Sequence, residues 1–505
     1  MRAALHCCEY DEQKLIFETE VSREETLELV VPDVCADIAA VLDARGQLLL
    51  ASKKTGSNAV IISASVDVKV ICAAEDGRIQ CVSGVIPFDQ SIPAEGVTEN
   101  DSVIVRCRLM AVEARTLNPR RLLLRAEVMF CCEVYTPQRV SLCDGPAPDA
   151  DASLHVLQKT FACCPVRTVR DKSFSVSDEY TLPEERGKNL KLLSTVTEVN
   201  VDDVKGVGSK LIVKARTETN AVFLNVDGDG LFSEHFSTAF TQIIEVEAAG
   251  DAFDDTVHLQ LRDAEFTCLP GREGGFAVSA QMFLTAQAVR REKCERTYVA
   301  DAYSNSCALR LTSAQVRSVS APERKELRFD MQEKLPQKTP LSELSYLTVS
   351  TVSAEADGGF VTLRARLSGE GTDADGQPAP VFMELYSRQE FPEKPGARVT
   401  VLSVAAETPS VLGAAGEASV MLGVVVSCAV SESVEISAVT ALAVDEDAPA
   451  AAPGPSLVVV CSQRECDLWT LAKKYASTTD AIVAANGGES GFSLSRRPLL
   501  IPRAH

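Results

Sequence analysis

The chain has 505 residues, 46% of them hydrophobic and 24% charged, with a formal charge of −21. This length asks for two to four domains, because single cores stop growing near roughly 250–300 residues. The composition excludes a disordered chain, and the acidity excludes nucleic acid and anionic lipid as general partners, since phosphates would repel it.

The opening stretch MRAALHCCEYDEQK meets Glu9, Asp11 and Glu12 before any secretory apolar core can form. No run reaches the roughly 18 apolar residues that would span a bilayer as a helix. Both features imply a chain that stays in the cytosol where it is made. The seventeen cysteines are an odd number, and no C-x-x-C spacing occurs. Neighbouring cysteines such as Cys7 and Cys8 point to opposite faces of a strand, so they cannot share one tetrahedral site. The expectation is that the thiols are reduced and structural and that no metal is bound.

A repeat of about 150 residues organises most of the chain. The segments starting at Gly84, His235 and Val381 align in pattern, with Val103 on Val257 and Val399, Ala126 on Ala280, and Cys132 on Cys428. Each copy also has an apolar residue before proline: Val31-Pro32, Leu182-Pro183 and Leu335-Pro336. These prolines lie 151 and 153 positions apart. The apolar spacing that follows (Ile38 and Leu42, Leu190 and Leu193, Leu341 and Leu344) predicts a short helix in each copy, entered at proline.

The rest of each copy reads as strands. VIISASVDVKVIC (60–72), KLIVKARTETNAVFL (210–224) and FVTLRARLSGEG (360–371) alternate apolar with small or polar residues. Asp76-Gly77, Asp229-Gly230 and Asp375-Gly376 then predict hairpin turns. NVDGDGLFSE (225–234) resembles the start of a calcium loop, but Phe236 stands where the bidentate Glu is needed, so a hairpin is expected.

The predicted fold class is mainly β: three tandem β-rich repeats, each an antiparallel barrel or sandwich with a short helix, over residues 1–143, 150–303 and 304–444. A Pro- and Ala-rich linker follows at 445–456, then a small βααβ domain at 457–503. In that tail, SLVVV and PLLIP read as strands. DLWTLAKKY carries helical spacing behind a capping Asp467, and STTDAIVAANGG forms a second helix capped by Ser477 or Thr478 and ended by Gly487. The tail holds Trp469, the chain's single tryptophan, which the helical pattern places in a core. It carries +2 against −23 for the remainder.

The run LWTLAKKYASTTDAIVAAN followed by PLLIP resembles a LysM domain, a βααβ module that binds N-acetylglucosamine-containing glycans. The resemblance implies a ligand or partner groove with Arg464, Glu465, Cys466, Asp467 and Leu468 on one side. Asn486, Gly487, Phe492, Arg496 and Arg497 would form the other. The family's Gly-Asp-Thr is replaced here by Glu465-Cys466-Asp467, which adds a side chain where backbone should approach a sugar.

The β repeats with VPDVCADIAAVL (31–42), IPFDQSIP (86–93) and LNPRRLLLRAEV (117–128), followed by a LysM-like tail, resemble the spore-coat morphogenetic family that includes SipL and SpoVID. That resemblance implies a non-enzymatic scaffold in the mother cell, at the forespore surface, without cofactors. Its implied partner is a coat morphogenetic ATPase of the SpoIVA type, with a peptidoglycan or lipid-linked N-acetylglucosamine glycan as the alternative. Gly-x-Ser-x-Gly, the P-loop and His-Glu-x-x-His do not occur, so no catalytic residue is expected.

Overall fold

The structure is a computed structural model. It describes residues 4–182, 184–187, 189–227, 230–246, 252–270, 276–335, 341–391, 396–412, 418–445, 455–461, 467–487 and 498–503.

Strands account for nearly all of it. The first stretch holds β1 (Leu5–Val30), β2 (Ile38–Gly56), β3 (Ala59–Ala74), β4 (Ile79–Pro93), β5 (Ser102–Asn118) and β6 (Arg121–Pro146). Strands β2, β3 and β4 form an antiparallel meander, while β6 pairs with β5 on one side and β1 on the other. The two layers face each other across an apolar core that includes Val60, Ile62, Phe88, Leu124 and Phe130. Alternation along β3 turns every second residue into this core, as a half-buried strand requires. The solution is a sandwich.

The same strand order recurs. The second stretch holds β7 (Leu154–Cys163), β8 (Val166–Leu182), β9 (Leu190–Val207), β10 (Lys210–Asn225), β11 (Gly230–Glu245), β12 (Phe253–Pro270), β13 (Phe276–Glu292) and β14 (Cys294–Ser304). The third holds β15 (Leu309–Val319), β16 (Glu323–Lys334), β17 (Leu341–Asp357), β18 (Phe360–Asp373), β19 (Pro378–Glu390), β20 (Ala397–Ala406), β21 (Ser410–Leu412) and β22 (Ser419–Val444). Meanders β9–β10–β11 and β17–β18–β19 correspond to β2–β3–β4, and β8–β13–β12 and β16–β22–β20 to β1–β6–β5. The residues that align in sequence hold matching places in the pairing. Val103 lies opposite Val134, Val257 opposite Ala288, and Val399 opposite Val430.

Each unit extends from its sandwich into a two-stranded ribbon: the outer halves of β1 and β6, the pair β7–β14, and β15 with the end of β22. The three ribbons pack on one another around Leu142, Tyr298, Ile436 and Ala438, and further out around Cys143, Leu154, Val299 and Val439.

Among the described residues no α-helix follows the prolines; Glu184–Arg186 in the second unit forms a single 3-10 turn, and the apolar residues expected on each helix lie on strands instead. Ile38 and Leu42 lie on β2, Leu190 and Leu193 on β9, and Leu341 and Leu344 on β17. Bulges explain the misreading. The pairing skips a residue between Ile38 and Ala40, between Val41 and Asp43, and at Leu193 and Ser342. Each extra residue breaks the two-residue period, so inward side chains fall at helix-like intervals. In the first unit Arg120 also holds the preceding loop open, donating to the carbonyls of Val31, Pro32 and Cys35 and pairing with Asp33 and Asp37. Gln80 clasps Ala36 through both its backbone N–H and C=O.

A second correction concerns the thiols. Cys7 and Cys143 face each other across β1 and β6 and form a disulfide. Their 136-residue separation hid this neighbourhood from a reading of local spacing. Of the three Asp-Gly turns, Gly77 and Gly376 carry the positive φ such turns demand (82° and 76°), whereas Asp229 lies outside the described residues.

Candidate functional site

The tail contains β23 (Leu457–Cys461), α1 (Leu468–Tyr475), α2 (Thr479–Ala485) and β24 (Pro498–Pro502), with β23 and β24 paired antiparallel. Both helices start at the caps the sequence offers. The Asp467 carboxylate accepts from the Thr470 backbone and hydroxyl, bonds that hold its pKa low, and Thr478 accepts from the Ala481 N–H. Gly487 follows α2 with φ of 107°, the left-handed stop that glycine allows. Leu471, Ala472, Ile482, Leu499 and Ile501 form the small core.

Four of the ten expected groove residues fall within the described structure. Leu468 packs partly buried against the tail core, while Asp467 and Gly487 act at helix ends. Asn486 is fully engaged inside the tail: its amide donates to the carbonyls of Ile482 and Leu500 and accepts from the Leu500 N–H. It stitches α2 to β24. Arg464, Glu465, Cys466, Phe492, Arg496 and Arg497 lie outside the described residues.

The tail meets the body through contacts that no local pattern in the sequence announces. Trp469 leaves α1 to meet β14. Its indole N–H donates to Asp301 at 2.9 Å, and its ring sits edge-on to Tyr303 with centroids 4.9 Å apart. Lys473, one helical turn later, reaches the same carboxylate at 2.6 Å, and the Tyr303 hydroxyl donates to the Ser477 carbonyl at 2.8 Å. Burial alone would raise the Asp301 carboxyl, but the bonds from Lys473 and Trp469 outweigh it and hold the group low. Thus Trp469 serves partly as a core residue and partly as the anchor of the tail on the second unit.

The three sandwiches meet through buried polar groups. Arg45 of β2 donates to the Thr348 hydroxyl on β17 and to the Asn220 carbonyl on β10, touching both other units from one side chain. Asp43, 3.8 Å from Arg45 and fully buried, accepts from the Tyr346 hydroxyl at 2.9 Å. Gln47 brackets Thr197 of β9, and Gln287 of β13 pairs with both backbone groups of Val105. Backbone groups that would otherwise be buried unpaired thus find side-chain partners on the neighbouring unit.

Between the units lies a half-open cavity of about 1100 Å³, lined by parts of β2, β5, β9, β12, β16, β17 and β20. Its lining mixes both signs of charge. Arg106 is buried, pairs with Glu133 at 3.1 Å and donates to the Val401 carbonyl. Burial would raise Glu133, yet the charges of Arg106 and Arg398 prevail and lower it. On the same walls, burial and Arg106 push His258 down to about 3, while burial and the Glu218 charge push Glu198 up to about 7. These groups are distant in sequence, and none was legible as a site residue.

Residues 37–117, the span from the loop before β2 to β5, match the family described as SipL, SPOCS domain. This match supports a link to the SipL SPOCS family and hence to sporulation. No curated protein and no solved structure matches the chain. Among the described residues, no helix is long and apolar enough to cross a membrane.

Proposed function

We propose that this chain is a non-enzymatic adaptor of spore-coat assembly, acting in the mother cell at the forespore surface. Its tail is read as a LysM-type module that binds a coat morphogenetic protein of the SpoIVA-like ATPase class. The observation that carries the reading is the match of residues 37–117 to the SipL SPOCS domain.

Two features of the molecule support it. The buried charged and amide groups between the units are spent on pairs and backbone contacts that join sandwiches, as with Arg45, Arg106 and Gln287, an arrangement suited to a rigid multivalent platform. In the tail, the Asn486 amide is consumed by Ile482 and Leu500, which withdraws a polar group that a sugar would need. Both favour a protein partner over a glycan and over a substrate.

The test is a pull-down of the full chain against two immobilised baits, a SpoIVA-type ATPase and N-acetylglucosamine oligomers. Retention on the ATPase and not on the oligomers is expected. Retention on the oligomers alone would replace the adaptor reading with glycan recognition.

A further inference from the structure

The outer end of the first ribbon gathers groups that the adaptor reading leaves unused. On β1, alternation turns His6 and Cys8 to one face and Cys7 to the other, where Cys7 is held by its disulfide to Cys143. On β6 the pairing passes from Cys143, opposite Cys7, to Gly145, opposite His6, so Asp144 is the extra residue of a bulge. A bulge re-aims its side chain, and here the carboxylate swings to the face shared by His6 and Cys8. His6 Nδ1 lies 2.7 Å from Asp144 Oδ1, and Cys8 Sγ donates to Asp144 Oδ2 at 3.2 Å.

The three potential ligand atoms lie within 4.8 Å of one another. In a tetrahedral zinc site, with bonds of about 2.0 Å to nitrogen and oxygen and about 2.3 Å to sulfur, neighbouring ligand atoms stand about 3.3–3.8 Å apart. Small rotations of side chains would therefore close this triangle around an ion. Two features fix the spacing beforehand. The Cys7–Cys143 disulfide ties the strands at the same level, and Gln158 of β7 donates to the Asp144 carbonyl at 2.5 Å, bracing the bulge from the neighbouring ribbon.

We propose that His6, Cys8 and Asp144 bind one zinc ion. A thiolate with an imidazole selects zinc over magnesium or calcium, which prefer all-oxygen sites. Cys8 gives up its thiol proton when the ion enters. His6 is about half exposed (53%), so the fourth coordination position opens to solvent and takes water or a side chain from a docked protein. The ion fastens the outer end of β1 to β6. The sequence could not reveal the site because Asp144 stands 136 residues beyond Cys8, and its aim depends on a bulge.

The test is an anaerobic titration of the full chain, disulfide intact, with Co²⁺ as a spectroscopic stand-in for zinc. One equivalent should bind with a thiolate-to-cobalt charge-transfer band that Zn²⁺ abolishes. Cys8→Ser should remove the band, and His6→Gln, at a half-exposed position, should weaken binding by about tenfold or more. Cys461→Ser, at an exposed thiol on β23, should change neither. Far-UV circular dichroism checks that each variant folds. Absence of the band in the unaltered chain, its survival in Cys8→Ser, or unweakened binding in His6→Gln would overturn the proposal.

Discussion

Replacing Asp301 by alanine should release the tail from the body. The carboxylate accepts the Trp469 indole N–H at 2.9 Å and the Lys473 ammonium at 2.6 Å. A hydrogen bond to a charged group contributes about 1.5–3 kcal/mol. The Lys473 pair is worth less, about 0–1 kcal/mol, because Lys473 is 42% exposed and screened by water. Together they make about 1.5–4 kcal/mol, which shifts the docked-to-free ratio by about 10- to 1000-fold. Docking in the variant would rest on the edge-on contact of Trp469 with Tyr303 and on the Tyr303–Ser477 bond, without this polar clamp. The assay is direct because Trp469 is the only tryptophan. In Asp301→Ala its emission should move to longer wavelength and iodide should quench it more strongly, while far-UV circular dichroism stays unchanged. An emission maximum and quenching equal to those of the unaltered chain would refute the docking energetics argued here.

Three further outcomes are expected. Arg45→Met should lower stability to urea by about 3–5 kcal/mol, because Asp43 is left in a fully buried site with only the Tyr346 hydroxyl for a partner. For Glu198, held up at about 7, the folded state binds a proton that the unfolded state has released. Its contribution is therefore present at low pH and lost as pH rises towards 7, and Glu198→Gln should abolish that component in urea titrations run across the range. His258, held down at about 3, contributes in the opposite sense: its share is present above the ordinary imidazole range and lost as pH falls through it towards 3, so His258→Gln should flatten the acid limb of the same curve.

How much of this was legible follows from the distance between cause and partner. Asp467 and Thr478 were readable as caps because each bonds a backbone N–H three residues on. The meander strands were readable because alternation is local, and β3 shows it cleanly. The same rule failed at Ile38–Leu42, where two bulges close together imitate helical spacing; only the partner strand reveals a skipped residue. Arg45 and Thr348 are 303 positions apart, and Trp469 and Asp301 are 168, so no window along the chain contains either contact. The Cys7–Cys143 disulfide was missed for that reason as well. Within the expected groove, the bond from Asn486 to the Ile482 carbonyl is local, four residues back, whereas its two bonds to Leu500 depend on how β24 returns to the helix.

The most direct measurement is the position of a fluorescently tagged full chain in sporulating cells, with and without the SpoIVA-type ATPase. The account predicts a ring at the forespore surface that disperses into the mother cell when the ATPase is removed. A signal spread through the mother cell in both cases, or a ring that persists without the ATPase, would contradict it.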